Sequence, residues 1–474
     1  MNPVEFLSQD DVRAVHHATL RILSEVGIIL DDTEARALLL DTGAGECGER
    51  VCIPPDLVES CLAHCPAQVA LRGREGSEVV LGAGDLQVHN LGGARDVLDR
   101  PGGDPRPATA GDVAESARLL DALDNVTTIT PLYTPRDVPP PAMVPTMFAE
   151  TVRHTVKPIN GPGVHTRAEA LRVAEMMHVV FGDTPAISLA ASPVSPLHFP
   201  EGVTQAMLEV ARRDLPFGPL PCPQTGTSAP MSLAGALALQ NAEVLASVVL
   251  VQLETPGLPV IYCGRLATID MRTALPTWGD PEIGVMSAAT VQIGHHYNLP
   301  VNVYGLAGNS YAIDVQAGYE RVLNAIVPAL AGADELSGVG EMGSGTLSSN
   351  AQIVLDDEIM GMVRRVRRGL AVNEDTLAVD VIAEVMDSPV RFFLGEPHTV
   401  RHLRTDEHWE GHLGVKGIGW TTWDDAGRPT AVKHAQAEAE RILAGHEVPP
   451  LTDEQSRALY EIVQAAWREH EVPS

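Results

Sequence analysis

The chain has 474 residues, of which 45% are hydrophobic and 20% charged, and it carries a net charge of −29. This length accommodates one large α/β domain with an extension, or two ordinary domains. The acidic balance argues against nucleic acid or an anionic membrane as a partner, because both would repel most of the surface. No unbroken apolar run reaches the length of a membrane span, and the N-terminus lacks the regions of an export signal, so we expect a cytoplasmic protein.

The first 108 residues are predicted to form a helical and β extension. Ser8 is a helix cap, and the apolar stripe of the helix that follows is predicted to consist of Val12, Val15, Ile22, Leu23 and Val26. Two further helices are predicted over "TEARALLLDTGA" and "IPPDLVESCLAHCP", and "QVALRGREGSEVVLGAGDLQVHN" alternates as short strands around glycine turns.

Residues 109–395 show a regular alternation of helices with short apolar runs, which predicts a parallel (β/α)8 TIM barrel. A doubly wound open sheet is the alternative. Residues 396–474 are predicted to form a C-terminal helical segment. The runs interpreted as barrel strands are "NVTTIT", "KPIN", "AISLAA", "LPFGPLPC", "LPVIYC", "LPVNVY", "ADELSGVG" and, less clearly, "AQIVL".

Cysteine usage does not indicate a disulfide framework, because six cysteines are scattered over a long chain without a Cys-x-x-Cys pair. We therefore expect free thiols at Cys47, Cys52, Cys61, Cys65, Cys222 and Cys263.

In a TIM barrel, the chemistry lies at the C-terminal ends of the strands, where the βα loops converge. Polar, aromatic and sulfur-containing side chains follow the predicted strands at these ends. They are Asn160, Ser192, Ser195, Cys222, Gln224, Thr225, Tyr262, Cys263, Tyr304, Asn309, Tyr311, Glu341 and Met342.

Several stretches, in order over nearly the whole chain, resemble the trimethylamine methyltransferase superfamily. They include "LSQDDVRAVHHATLRILSEVGIILDD", "RPATAGDVAESARLLDAL", "NAEVLASVVLVQLETPGLPVIYC", "DVQAGYERVLNAIVPALAGADEL" and "FLGEPHTVRHLR". The resemblance implies a TIM-barrel enzyme that takes a methyl group from a methylated amine and passes it to the cobalt of a separate corrinoid protein.

The founding members of that superfamily carry pyrrolysine just ahead of the stretch that is Asp314 to Glu320 here. The corresponding position falls at about Tyr311, an ordinary residue, so the chain resembles the non-pyrrolysine branch, whose members act on quaternary amines such as glycine betaine. A second departure is "GVKGIGWTTWDDAG" near the end, where the family has an Arg-x-x-Tyr-x-x-Trp pattern.

A quaternary ammonium already has a neutral amine as its leaving group, so positioning by aromatic faces and acceptor dipoles is the chemistry we expect. Tyr311 and Glu341 are the predicted catalytic residues, Glu341 as an acidic wall of the pocket. The predicted substrate-binding residues are His89, Asn90, Gln224, Thr225, Tyr262, Tyr304, Asn309, Gln316 and Met342. Tyr319 is expected to face the barrel wall, and Asp314 to stabilise the first turn of its helix.

Two other interpretations start from local motifs. Cys222 and Cys263 with His295 and His296 have ligand types suited to zinc, but their spacing is not diagnostic, and we expect no metal bound by this chain. The stretch "GVGEMGSG" is glycine-rich like a phosphate loop, yet it lacks the Lys-Ser/Thr of a P-loop.

The acceptor of the methyl group is left open between a corrinoid protein and tetrahydrofolate. A barrel that only binds a methylated amine is a further alternative. We expect a small quaternary amine as substrate, a corrinoid protein as the partner, and assembly as a homo-oligomer.

Overall fold

The structure, a computed structural model, describes residues 3–405 and 407–471. A ring of parallel strands lies at its centre, and we number the ring positions 1 to 8 in chain order. Extended segments around Ile129 and Ile159 hold positions 2 and 3 and pair in parallel with each other. The other positions are held by strands Gln87–Asn90 (1), Leu189–Ala191 (4), Phe217–Pro219 (5), Tyr262–Gly264 (6), Val301–Tyr304 (7) and Glu335–Val339 (8).

Hydrogen bonds between neighbouring positions close this ring. The Thr128 N–H donates to the carbonyl of Val88 at 3.1 Å, which joins positions 1 and 2. Positions 4 to 5 and 6 to 8 pair in parallel registers, and strand 8 pairs in parallel with strand 1, Glu335 lying opposite Gln87. The predicted TIM barrel is confirmed, and the open sheet is not observed in the part of the chain that the structure describes.

Seven of the predicted runs lie in the ring, but the eighth does not. "AQIVL" lies inside helix Asn350–Arg368. Strand 1 comes instead from Gln87–Asn90, within the region assigned to the N-terminal extension. The sequence predicted a short strand here but assigned it to the extension, and its parallel pairing with strand 8 identifies it as a barrel strand.

The N-terminal region contains the predicted helices. Val12, Val15 and Leu23 are buried as expected, whereas Val26 is 40% exposed, so its place in the predicted apolar stripe is wrong. Cys47 and Cys52 form a disulfide across the hairpin of strands Gly45–Cys47 and Arg50–Cys52, where their Cα atoms are 5.9 Å apart. The expectation of free thiols is therefore wrong for this pair, because the hairpin register brings two cysteines together that are five residues apart in sequence. The other four cysteines are free.

A second hairpin, Val69–Arg72 with Glu78–Leu81, covers the N-terminal end of the barrel. Its residues Val69 and Leu71 pack against Ile261 and Cys263, which face the barrel interior. The Arg72 N–H donates to the carbonyl of Ala186, just before strand 4. This hairpin closes the barrel at the end away from the βα loops.

Helices surround the ring, and the longest of them, Leu233–Glu254, is apolar enough to cross a membrane by length and composition. In the structure, 89% of its most apolar window is buried inside the protein, as in the core helix of a globular domain. The helices, in chain order, are Gln9–Arg21, Thr33–Asp41, Pro55–His64, Ala110–Asp121, Pro140–Arg153, Arg167–Phe181, Glu201–Arg212, Leu233–Glu254, Pro281–His296, Val315–Leu330, Asn350–Arg368, Glu374–Leu377, Val379–Asp387, Pro397–Leu403, Trp420–Asp425, Ala431–Gly445 and Asp453–Glu471.

The last two helices pack back onto the barrel. Helix Asp453–Glu471 lies against helices Pro140–Arg153 and Arg167–Phe181. His446, which follows the other helix, contacts Asp121 with 2.8 Å between Nε2 and Oδ2. The remaining short strands are Ile29–Leu30, Asp96–Val97, Arg106–Pro107, His198–Phe199, Thr268–Asp270, Leu275–Thr277 and Leu347–Ser348.

Candidate active site at the barrel mouth

A cavity of about 470 Å³ opens at the C-terminal ends of the strands. It takes lining residues from every ring position or the loop that follows it, so it lies where a TIM barrel places its chemistry. Apolar groups, among them Met143, Met147 and Leu220, line part of its wall. Its polar lining includes His89, Asn90, Thr130, Thr134, His165, Glu169, Ser192, Arg265, Tyr304 and Ser337.

A buried polar network fills the barrel interior below this cavity. The Glu335 carboxylate accepts hydrogen bonds from the Thr128 hydroxyl at 2.6 Å and from the amides of Asn160 and Asn302. The Asn160 carbonyl oxygen in turn accepts from the Ser188 hydroxyl. These side chains come from five ring positions, and a network satisfied in this way makes the barrel floor rigid.

His89 joins this network to the cavity. Its Nε2 lies 2.9 Å from the amide nitrogen of Asn302, which is a donor, so the network assigns the ring proton to Nδ1. Nδ1 is buried and has no hydrogen-bond partner of good geometry in the described part of the chain. Burial lowers the pKa of His89, although the charge of Glu335 opposes this. His89 is therefore a neutral ring with an unused N–H donor in the cavity lining.

Arg265 brings a positive charge into the same cavity. Its guanidinium donates to the backbone carbonyls of Gly264 and Asn302, at 3.0 and 2.9 Å, and to the side-chain oxygen of Asn302. The side chain is only 5% exposed, and no carboxylate of the described residues lies within ion-pair distance of it. Buried cations are normally paired, so an unpaired arginine in a cavity wall is suited to a ligand anion.

Tyr304 lies beside this arginine. The guanidinium carbon of Arg265 is 4.6 Å from the centre of the Tyr304 ring, and Trp278 packs edge-on against the same ring at 4.7 Å between centroids. Burial raises the pKa of Tyr304 well above its usual range, and the nearby charge of Glu341 adds to the effect. The phenol therefore stays neutral.

Glu169 supplies a negative charge on another wall of the cavity. It lies in the first turn of helix Arg167–Phe181, and its Oε2 accepts from the backbone N–H of His165 at 2.7 Å. Burial raises the pKa of Glu169, but the hydrogen bonds from His165 outweigh burial and hold the pKa below its usual value. The cavity thus carries both an arginine and an ionised carboxylate.

Glu341, predicted as the acidic wall, is fully buried and is not part of the cavity lining. Burial raises the pKa of Glu341 to about 8, whereas Arg321 and the backbone N–H of Gly308 oppose the rise. Arg321 is itself fully buried and pairs with Asp356 at 2.9 Å. Glu341 is therefore a protonated carboxyl near neutral pH. It lies near Tyr304, and its charge, once it ionises, adds to the raised pKa of that phenol.

The glycine-rich stretch 338–345 is not built to bind phosphate. The N–H of Gly340 donates to the Asp356 carboxylate at 2.7 Å, so this donor is already used. Gly343 has a positive φ of 55°, and a Cβ there would come within 2.5 Å of the Tyr311 ring. The glycines let the loop after strand 8 pack closely under the loop after strand 7.

The Tyr311 ring packs against Gly343 at the rim, and Tyr311 is 68% exposed. It does not line the cavity. Asp314 caps helix Val315–Leu330 by accepting from the N–H of Ala317 at 3.1 Å, which confirms its expected structural role. Tyr319 is 60% exposed rather than packed on the barrel wall, because its position on that helix faces solvent; this expectation is wrong.

Of the predicted substrate-binding residues, His89, Asn90 and Tyr304 line the cavity. The Asn90 amide bonds to the carbonyls of Leu91 and Thr130, so it joins ring positions 1 and 2. Tyr262 points outward and donates to the side-chain oxygen of Asn241 at 2.8 Å. Its position in the strand, one residue before the inward Cys263, decides this orientation.

The other predicted residues lie in loops, or in the case of Gln316 in the first turn of helix Val315–Leu330, and outside the cavity lining. Asn309 accepts from the N–H groups of Trp278 and Gly279, at 2.7 and 2.9 Å, and thus joins two loops. Gln316 donates to Glu320 at 2.8 Å. The remaining three are Gln224 and Thr225, in a turn that pairs with Ala267, and Met342, in a small apolar cluster.

Sequence reasoning passed over Arg265, Asn302, Glu335 and Glu169. The sequence pattern could have identified the first three as inward-facing, because alternate positions in a strand share one face. Asn302 shares its face with Tyr304, and Arg265 with Cys263. Polar residues at alternate positions of short apolar runs would have identified this inward face.

The zinc ligand set considered from sequence is not assembled. His295 lies at the end of helix Pro281–His296, where its Nε2 is 2.8 Å from Asp334, ahead of strand 7 and away from the mouth. Among the described residues, one group has potential ligand atoms within 4.8 Å of one another: Asp375, His398 and His402. It lies in the segment after the barrel, outside the cavity lining.

The fold defines the class of protein as a TIM barrel with a charged cavity at its mouth, where enzymes of this fold carry their active sites. The family described as trimethylamine methyltransferase (MTTB) matches residues 1–473, and the chain belongs to this family. It is a methyltransferase.

Relatives agree with this assignment, and a solved structure agrees with the fold. A trimethylamine methyltransferase MttB of Desulfitobacterium hafniense (strain DSM 10664 / DCB-2) is 30% identical over 98% of this chain and 94% of its own length. A glycine betaine methyltransferase of Desulfitobacterium hafniense (strain Y51) is 29% identical over 94% of each chain. The crystal structure of the Methanosarcina barkeri monomethylamine methyltransferase (MtmB) has the same fold, with a TM-score of 0.54, 13% identity, and coverage of 93% of this chain and 88% of that chain.

Proposed function

We propose that this protein removes a methyl group from a quaternary amine that also carries a carboxylate, such as glycine betaine, and passes it to the Co(I) of a separate corrinoid protein. The single observation that carries the substrate class is Arg265. A bare methylated amine would bring a second positive charge next to this guanidinium. A betaine would instead bring a carboxylate to it, since a guanidinium binds carboxylates through charge-assisted hydrogen bonds.

The rest of the cavity suits the two ends of such a zwitterion. His89 offers its unused Nδ1–H to the carboxylate, next to the arginine. Glu169 offers a negative charge to the ammonium on another wall, and Tyr304 contributes a polarisable face. The methionines Met143 and Met147 supply apolar contact for the N-methyl groups.

The reaction needs little from the protein beyond positioning. As the carbon–nitrogen bond breaks, its electron pair stays on nitrogen and leaves a neutral tertiary amine, so no proton has to be supplied. The protein must hold one methyl group at the mouth, in line with the nucleophile, and exclude water from it. The neutral state of His89 and Tyr304 fits this role, because neither has to transfer a proton.

Tyr311 is proposed to stand at the rim as an aromatic contact for the methylammonium group of the substrate, and Glu341 to support Tyr304 from behind. We also propose a cytoplasmic location and a homo-oligomeric state, as expected from the sequence. The substrate assignment does not depend on either of them.

The experiment that tests the function is a methyl-transfer assay with purified protein. Glycine betaine, trimethylamine and tetramethylammonium are each incubated with Co(I) cobalamin or with tetrahydrofolate, and the demethylated amine is quantified. We expect product from the betaine with Co(I). Product only with tetrahydrofolate would replace the corrinoid acceptor, product from trimethylamine alone would remove the betaine assignment, and binding without product would indicate a non-catalytic barrel.

A further inference from the structure

A second cavity, of about 840 Å³, lies at the opposite end of the barrel from the mouth. It is lined by residues 84–86, which precede strand 1, by Asn125, which precedes position 2, and by the end of helix Asn350–Arg368. Residues 403–405 and 408–410 of the following segment also contribute to it. The cavity is therefore separate from the catalytic mouth.

This cavity is rich in arginine although the chain as a whole carries a net charge of −29. Five arginines line it: Arg364, Arg365, Arg367, Arg368 and Arg404. Four of them come from the run "RRVRR" at the end of one helix. Cations at a helix C-terminus stabilise its dipole, but that effect does not require four guanidinium groups within one turn and a half.

Most of these guanidinium groups lack a counter-charge. Arg364 donates to the carbonyl of Asn125 at 3.2 Å, and Arg367 to the carbonyl of Gly84 at 3.2 Å. Arg365 likewise bonds to the backbone carbonyls of Glu407 and Gly369. Within residues 3–405 and 407–471, none of these three arginines forms an ion pair with a carboxylate.

The burial and mutual repulsion of these arginines are energetically unfavourable. The Nε of Arg364 is buried without a hydrogen-bond partner. Burial lowers the pKa of Arg364, and the charge of Arg367 lowers it further, whereas the charges of Asp357 and Asp85 oppose the shift. Asp85 and Glu410 line the cavity, yet neither pairs with Arg364 or Arg367. A bound anion would relieve this arrangement.

We propose that this arginine cavity binds a small organic molecule that carries two or more phosphate groups. Guanidinium forks bind phosphate oxygens in pairs, and a compact group with several negative charges matches clustered cations better than a single carboxylate does. The indole of Trp409, which packs against Gly361 in the cavity wall, offers an aromatic face for an organic ring.

Isothermal titration calorimetry at about physiological ionic strength, where weak surface pairing is screened, tests the proposal. The probes are pyrophosphate, ATP and citrate. We expect both phosphate compounds to bind, ATP more tightly because of its base, and citrate at least tenfold more weakly than pyrophosphate. No binding of pyrophosphate or ATP at millimolar concentration, or equal binding of citrate, would overturn the assignment.

Variants locate the site. The double variant Arg364→Gln/Arg367→Gln should bind pyrophosphate at least tenfold more weakly than the wild type, with the fold checked by circular dichroism. Arg404→Gln removes an exposed guanidinium without a hydrogen bond in the described chain, so it tests the site even if the double variant does not fold. Arg457→Gln, an exposed arginine outside the cavity, is the matched control. Unchanged binding by both cavity variants would refute the proposal.

Discussion

Replacement of Arg265 by Gln should separate a carboxylate-bearing substrate from one without a carboxylate. The proposed ion pair would be largely buried, because Arg265 is only 5% exposed. Removing one partner of a buried, hydrogen-bonded charge pair costs about 2–5 kcal/mol. Gln keeps a hydrogen-bond donor, so we expect the lower part of this range, about 2–3 kcal/mol, or roughly a 30- to 150-fold loss of affinity for glycine betaine.

The same variant should act in the opposite direction on tetramethylammonium. This cation gains nothing from Arg265 and is repelled by it, so its affinity in Arg265→Gln should be unchanged or higher. Arg265→Lys keeps the charge but loses the planar fork, and its affinity for the betaine should lie between those of wild type and Arg265→Gln. Calorimetric dissociation constants for both ligands measure these effects, with Arg457→Gln as the control.

Two results would refute this reasoning. Arg265 also holds Asn302, so a purely structural role would weaken the binding of both ligands to a similar extent. Equal losses for glycine betaine and tetramethylammonium would therefore assign Arg265 to the support of the network. An unchanged affinity for the betaine would place the carboxylate elsewhere in the cavity.

Three further predictions concern pH, the rim and metal. Burial raises the pKa of Glu341 from 4.5 to about 8, so the folded protein holds this proton more tightly than the unfolded chain, and the free energy of unfolding should fall as pH rises from about 4.5 to 8. The urea midpoints at the two ends of this range should differ less in Glu341→Gln than in wild type. An identical difference in the two proteins would contradict the assignment. Tyr311→Ala should weaken betaine binding by roughly two- to fivefold without a change in thermal midpoint, since cation–π contacts at exposed sites contribute about 0.5–1 kcal/mol. Tyr319→Phe should be neutral, and the reverse pattern would place the ligand on the other side of the helix. Because a quaternary ammonium needs no Lewis acid, chelator treatment should leave turnover unchanged. This prediction would be disproved if elemental analysis found one zinc per chain and Cys222→Ala lost both the zinc and the activity.

The sequence by itself determined the class of fold and the family. Alternation of helices with short, proline-flanked apolar runs predicted the barrel, because each run must be buried on both faces and each helix must return the chain to the same end of the sheet. Local capping was equally readable: Asp314 precedes its helix, and its carboxylate is close enough in sequence to reach the N–H of Ala317. These features depend on contacts between residues that are near in sequence.

Only the tertiary structure decided which polar residues share the cavity. Tyr262 and Tyr304 both lie near the ends of predicted strands, yet one faces the surrounding helices and the other the barrel mouth. An offset of one residue reverses the face of a strand, and the register is set by pairing with strands that are distant in sequence. Pairing between distant strands also made Gln87–Asn90 a barrel strand. The fold likewise left Arg265 without a carboxylate partner among the described residues. Neither feature can be read from the sequence, because ring closure and the surroundings of a buried charge depend on residues that are far apart in the chain.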